Sequence, residues 1–285
     1  VSVVDAQEAA EAAAAGAHII DAKDPSRGAL GAVSPEALAC ILAACPEGIQ
    51  TSAALGDVAD LNELGQDLTA HPGRPSAPSG RPRDPVAPAF PERLTYIKVG
   101  LGGFPEAGAA RRALQDFLAR RPGITAPDQP DPRASRVEDL HRGRPGSRPR
   151  LIVASYADHR RAGAPPPLDV PGLAAETGAA GCLLDTGLKD GSCLLDWIDE
   201  GALAEFVRAC RARGLVCALA GSLRAEHLGR MARLGPDFVG VRGAACDGDR
   251  VRGRVRAGRV AALARGLEMP VAAHGPTVVP NPQVS

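Results

Sequence analysis

Lysine is almost missing from this chain: three, Lys23, Lys98 and Lys189, stand against thirty arginines in 285 residues. Aromatics are scarce too, at 3 % with one Trp and two Tyr, which leaves too few rings for a platform that stacks single-stranded nucleic acid. Net charge is absent, 33 cations facing 33 carboxylates, so the total favours neither nucleic acid nor an acidic surface as partner. No run of about 18 apolar residues is present to cross a bilayer. No charged-then-apolar leader opens the sequence, and a soluble, cytoplasmic protein without a membrane partner is expected.

The seven cysteines, at 40, 45, 182, 193, 210, 217 and 246, form no CxxC pair and have no histidine at metal-ligand spacing. No metal site is expected, and the thiols are read as reduced side chains packed as small hydrophobes. Two phosphate-binding signatures are also missing. "VSVVDAQEAA" carries no glycine after the first candidate strand, and no GxxxxGK[ST] occurs anywhere.

What is present is alternation. Short β-rich apolar runs at 1–4, 17–22, 49–55, 94–100, 150–156, 180–186, 214–220 and 236–242 are separated by segments of helical spacing. The latter lie near 5–15, 34–45, 57–68, 105–120, 166–178, 197–213, 223–234 and 255–267. Ser34 followed by Pro35 and Glu36 is a helix-start signature. Eight nearly continuous apolar strands alternating with eight helices predict an α/β fold, the (β/α)8 TIM barrel, as one domain over 1–267. Proline- and arginine-rich segments at 71–93 and 121–149 lack hydrophobic periodicity and are read as surface insertions that hang in solvent or cap the barrel mouth. The tail 268–285 reads as unpacked.

In such a barrel the C-terminal strand ends share one mouth, where active sites lie. Those ends carry Asp21 and Lys23, Lys98, then Tyr156, Asp158 and Arg161, then Asp185 and Lys189. All three lysines therefore fall on one rim. A lysine offers what an arginine does not, an amine that can lose its proton when desolvated or set beside other cations, and so can attack a carbonyl. The competing reading pairs Lys23 and Lys98 with Asp21 and Asp185 as plain ion pairs. At the ends of strands seven and eight, "AGS" (Gly221, Ser222) and "GVRGA" (Arg242, Gly243) place small residues and a guanidinium where barrels bind phosphate, although tight turns alone also call for glycine. A phosphorylated carbonyl compound is the ligand class these features favour. Among the histidines, His159 is the candidate proton shuttle, and His18 reads as a packed core residue.

The stretches "DAKDPSRGALGA", "YIKVGL", "LLDTGLKDG", "CALAGSL" and "GVRGAAC" together resemble the (5-formylfuran-3-yl)methyl phosphate synthases, also called 4-(hydroxymethyl)-2-furancarboxaldehyde-phosphate synthases. The likeness runs from residue 1 to about 266, with both proline-rich segments outside it. It implies a (β/α)8 lyase of class I aldolase type that joins two molecules of glyceraldehyde 3-phosphate with loss of phosphate and water. The product feeds furan-containing one-carbon carriers, methanofuran or methylofuran, and the Ala/Arg/Gly/Pro-heavy composition favours the methylofuran branch. By the same resemblance Lys23 is the Schiff-base residue and Lys98 a general acid/base, with Asp185 and Lys189 as the other catalytic members. Asp21, Arg161, Gly221, Ser222, Arg242 and Gly243 are the expected contacts to substrate and phosphate. The iminium is the electron sink, so no cofactor or metal is implied. A homo-oligomer is compatible with the pattern. Two departures stand out: Asp24 follows Lys23 where the family would have Asn, adding charge that would raise the amine's pKa, and "SYADHRRAG" replaces a more aromatic fifth loop. Rival activities are another phosphosugar aldolase or isomerase, or an inactive barrel that only binds phosphometabolites.

Overall fold

A computed structural model describes residues 1–63, 90–91, 93–121, 123–124 and 148–268. Eight strands form one parallel sheet in sequential order: β1 Ser2–Val3, β2 Ile19–Ala22, β3 Gln50–Asp57, β4 Tyr96–Gly100, β5 Arg150–Tyr156, β6 Gly181–Asp185, β7 Val216–Leu219 and β8 Phe238–Val239. The sheet curls into the (β/α)8 barrel, and the amide of Ser2 donates to the Val241 carbonyl at 3.0 Å to join its two ends. β8 is shorter than the run 236–242. Beyond Val239 the backbone at Arg242 leaves the extended region, at φ −133 and ψ −65, and enters a 3₁₀ turn over Gly243–Ala245.

Helices α1 Ala6–Ala14, α2 Pro35–Ala44, α3 Val58–Glu63, α4 Ala107–Ala119, α5 His159–Ala162, α6 Val170–Glu176, α7 Glu200–Ala212, α8 Ala225–Leu234 and α9 Ala257–Glu268 follow the strands. Their amphipathic spacing makes them pack. α4 buries Ala110, Ala113, Leu114 and Phe117, and α7 buries Leu203, Phe206, Val207 and Cys210, in both cases at i, i+3, i+4 and i+7. Ser34 caps α2 by accepting the Ala37 amide at 3.2 Å, with Pro35 at the first helical position. α5, a single turn, has no counterpart in the sequence pattern.

Strand alternation sorts the core into two. Ile20, Ile97, Val99, Leu151, Val153, Cys182, Leu184, Cys217 and Leu219 face outward beneath the helices. Tyr96, Ile152, Ala154, Tyr156, Leu183 and Val216 fill the barrel interior. Gly181 is needed there, because a Cβ would lie 2.4 Å from the Val216 carbonyl oxygen.

Three readings are corrected or bounded. His18 is exposed and lies just before β2, since that strand begins at Ile19, so it is not a core residue. Cys40 is exposed on α2, whereas the other six thiols are buried as expected. Residues 64–89, 125–147 and 269–285, which hold most of both insertions and the tail, lie outside the described residues. The described ends of both insertions are helix-to-strand connections, α3 to β4 and α4 to β5. Such connections lie at the face opposite the mouth. Arg93 is anchored there, donating to the carbonyls of Leu42, Cys45 and Pro46 at 2.8, 2.7 and 3.0 Å.

Candidate active site

Lys98 on β4, Lys23 just past the end of β2 and Lys189 in the loop after β6 come together at the mouth, close enough for Lys98 and Lys189 to act on the charge of Lys23. Lys98 reaches Asp21, its Nζ 2.6 Å from Oδ1, with Asp21 buried and Lys98 half-buried. Asp21 also accepts the hydroxyls of Ser2 and Ser52 at 2.8 and 2.7 Å, so its carboxylate is fixed from three strands. Lys189 lies 2.6 Å from Asp185 Oδ1 and donates to the Thr186 hydroxyl at 2.9 Å. The carboxylate of Asp158 accepts the amides of Gly187 and Leu188 at 2.6 and 2.9 Å, pinning the loop that carries Lys189.

Lys23, 7 % exposed, sits between these two pairs. Among the described residues it has no ion-pair partner within 4.0 Å. Burial lowers its ammonium pKa from 10.5 to about 8, with the cations Lys98 and Lys189 adding to the effect and the carboxylates Asp185 and Asp21 opposing it. The same desolvation would raise Asp21, but Lys98 and Lys23 outweigh it and hold that carboxyl below its usual range. Asp185 is treated alike by burial on one side and Lys189 and Lys23 on the other. The arrangement thus keeps two carboxylates ionised and two amines tied to them, and leaves one amine free and easily deprotonated.

Asp24 does not supply the charge expected of it. Its carboxylate turns to Ser26, accepting the amide at 2.9 Å and the hydroxyl at 2.6 Å as the cap of a 3₁₀ turn over Pro25–Arg27. It is absent from the main influences on Lys23. The loop then closes back on itself, the Asp24 amide donating to the Gly31 carbonyl at 2.9 Å.

The expected phosphate contacts divide. Gly221, at φ 110, and exposed Ser222, at φ 49, form the β7 turn, and Ser222 is the only non-glycine with positive φ among the described residues. Gly243 is exposed in the β8 loop. Arg242 is buried instead, pairing with Glu8 at 2.9 Å and donating to the carbonyls of Ser2 and Arg250 at 3.0 and 2.7 Å. Its guanidinium holds the loop from beneath. Arg161 pairs with Asp190 at 2.8 Å and stacks on Trp197 at the outer rim. Among the described residues the hydrogen-bonding contact of the His159 ring is within its own turn, Nδ1 being 3.5 Å from the Ala157 carbonyl.

Two features escaped the sequence reading. Arg250 reaches from the β8 loop to the β2 loop, donating to the carbonyls of Pro25 and Gly28 at 3.0 and 3.2 Å. Burial lowers its pKa and the charge of Asp185 opposes that, which marks it as a cation facing the site. The second is Asp57, which accepts the Tyr156 hydroxyl and the Gly102 amide, both at 2.8 Å. A register shift between Ala54 and Gly56 puts Asp57 opposite Gly100 and so turns it inward. The signal for it was the glycine of "LGD" in a strand read as ending at residue 55.

A separate cavity of about 450 Å³ lies lower in the barrel, walled in part by Ile152, Leu183, Val216 and Phe238. It touches Asp21, Ser52 and Lys98 but not Lys23, Asp185 or Lys189. No group of three or more metal-ligating side chains occurs among the described residues, and no helix there is long and apolar enough to cross a membrane.

Comparison with known proteins adds a family. The profile described as 4-HFC-P synthase matches residues 1–264. A (5-formylfuran-3-yl)methyl phosphate synthase of Methanocaldococcus jannaschii is 37 % identical over 256 residues, covering 90 % of this chain and 93 % of that protein. One from Methanopyrus kandleri is 36 % identical over 275 residues, covering 94 % and 97 %. A putative bacterial counterpart in Kitasatospora aureofaciens is 37 % identical over 268 residues, covering 92 % and 91 %. Among solved structures, phosphoribosyl anthranilate isomerase from Thermus thermophilus aligns at a TM-score of 0.49 with 15 % identity, covering 93 % of this chain and 95 % of that one.

Proposed function

Because this chain belongs to the 4-HFC-P synthase family, we propose that its barrel mouth joins two molecules of glyceraldehyde 3-phosphate into (5-formylfuran-3-yl)methyl phosphate, for a furan-containing cofactor, through a Schiff base on Lys23. The observation that carries this reading is the buried, unpaired amine of Lys23, lowered to about 8 between the Lys98–Asp21 and Lys189–Asp185 ion pairs.

In this proposal the neutral Lys23 amine attacks the aldehyde carbon, and the carbonyl oxygen leaves as water to give an iminium. The positive nitrogen draws electrons from the adjacent carbon and makes its proton removable. Lys98 and Lys189, each beside a carboxylate that can steady its charge, are the groups that exchange protons with that carbon and with the leaving oxygens. Over the whole reaction two trioses lose one phosphate and two waters. The mouth cations, Arg250 among them, attract the phosphates, and Gly221, Ser222 and Gly243 offer backbone for one of them.

Incubation with glyceraldehyde 3-phosphate tests this. Furan absorbance should grow with one phosphate released per two trioses consumed, and borohydride should trap an adduct that peptide mapping assigns to Lys23. Substrate binding without phosphate release, or trapping on Lys98 or Lys189 alone, counts against it.

A further inference from the structure

Asp57 is an inward-facing carboxyl that the mechanism above leaves unused. Asp57 ends β3, and only because Leu55 is an extra residue in the ladder does it face Gly100 and the barrel interior. A Cβ on Gly100 would lie 2.0 Å from Asp57 Oδ1 and 2.2 Å from the Tyr156 hydroxyl, so the pair spans β3 to β5 directly over β4. Gly100 follows Lys98 by two residues on the same face of the strand, which puts the pair one layer above that amine, about 7 Å along the strand. Tyr156 in turn is the register partner of Asp185. Asp57 therefore belongs to the same mouth as the lysines.

Its two oxygens are unlike. Oδ1 accepts both the Tyr156 hydroxyl and the Gly102 amide, at 2.8 Å each. Oδ2 has no hydrogen-bond partner among the described residues, and the side chain is only partly buried while Tyr156 is 2 % exposed. One oxygen is thus locked and the other is open to a ligand. Burial raises the carboxyl's pKa above its ordinary value, against the opposing effect of those two donors.

We propose that Asp57 is a further catalytic residue of the furan-forming reaction, a general acid whose Oδ2 proton passes to a substrate hydroxyl as that hydroxyl leaves as water, with Tyr156 as its positioning residue. The proposal rests on the synthase reading above. As the carbon–oxygen bond breaks, its electron pair leaves with the water. The pair from the neighbouring carbon–hydrogen bond forms the ring double bond, and that proton goes to a lysine amine. The resulting Asp57 carboxylate is held by Tyr156 and Gly102, and solvent restores the proton balance between carboxylate and ammonium.

Asp57→Asn keeps an oxygen to accept both donors and replaces the acidic hydroxyl with an amide NH2 that does not act as the acid. With glyceraldehyde 3-phosphate, this variant should form furan about 100-fold or more slowly, the usual scale for losing an acid catalyst. It should still be trapped by borohydride at Lys23 as wild type is, and the trapped adduct should retain the water that wild type loses. Tyr156→Phe removes a donor that lowers the Asp57 pKa, so the high-pH limb of the rate profile should move to higher pH. Furan formation by Asp57→Asn at the wild-type rate overturns the proposal and leaves the synthase reading intact. Loss of Lys23 trapping in step with furan formation also overturns it, assigning Asp57 to structure. Wild-type protein that neither traps at Lys23 nor makes furan removes the synthase reading itself.

Discussion

Lys98 Nζ lies 2.6 Å from Asp21 Oδ1, and this contact takes from Lys23 the carboxylate two residues before it on the same strand face. Strand periodicity allows Asp21 to serve either lysine. The choice is made by Ser2 and Ser52, whose hydroxyls fix the carboxylate from the neighbouring strands, with Lys98 completing the set. Lys23 is left with desolvation and two nearby cations, which together favour the free amine.

The pH dependence of trapping follows. With a pKa of about 8, Lys23 carries roughly 10 % free amine at pH 7, about 300-fold more than an ordinary lysine. Borohydride trapping should rise with pH through a midpoint near 8 and level off above it. In Lys98→Met a cation that lowers Lys23 is gone and Asp21 is released to pair with it. The midpoint should then move upward, and an unchanged midpoint would show that Lys98 does not tune Lys23.

The same shift makes a stability statement. Lys23 has its folded pKa below its unfolded one, so between about 8 and 10.5 the unfolded chain binds more protons and stability rises with pH. Lys23→Met has no such titration. Urea melts should therefore show wild type gaining on Lys23→Met across that window, by at most about 3 kcal/mol. A difference that is flat from pH 7 to 11 would mean the amine is not perturbed in the fold.

The barrel was legible because its signals are periodic and redundant. α4 and α7 each bury an unbroken i, i+3, i+4, i+7 stripe, and β4 to β7 alternate without interruption. The lysine cluster was legible for a related reason: three rare residues sat at strand ends, and position on a strand determines position on the rim. Asp57 was not, because a single bulge at Leu55 reverses the parity on which inward and outward assignments depend. Arg242 was placed at the right strand end, but its partner Glu8 lies 234 residues away, and no local pattern says which way a guanidinium will turn. Asp24 illustrates the same limit, its charge being spent on Ser26 and not on its neighbour Lys23.

Arg242 and Glu8 supply a third prediction. Both side chains are buried, 4 % and 1 % exposed, and removing one charge strands the other. Arg242→Met should cost about 3–5 kcal/mol, and Arg242→Met with Glu8→Leu should recover much of that loss. If the guanidinium instead bound substrate phosphate, the single variant would raise KM for glyceraldehyde 3-phosphate with little change in melting temperature.

Gly100 provides the last test. Its backbone is extended and suits alanine, so any effect of Gly100→Ala comes from the added Cβ, 2.0 Å from Asp57 Oδ1 and 2.9 Å from Leu30 Cδ1. Overpacking of this kind costs about 1–3 kcal/mol, a modest fall in melting temperature for a barrel of this size. Its effect on furan formation should be larger, because the carboxyl is pushed from Tyr156. If both substitutions act through Asp57, Gly100→Ala combined with Asp57→Asn should be no slower than the slower single variant, a strong departure from additivity. Rate losses that multiply would separate the two residues and show that the glycine matters for space alone.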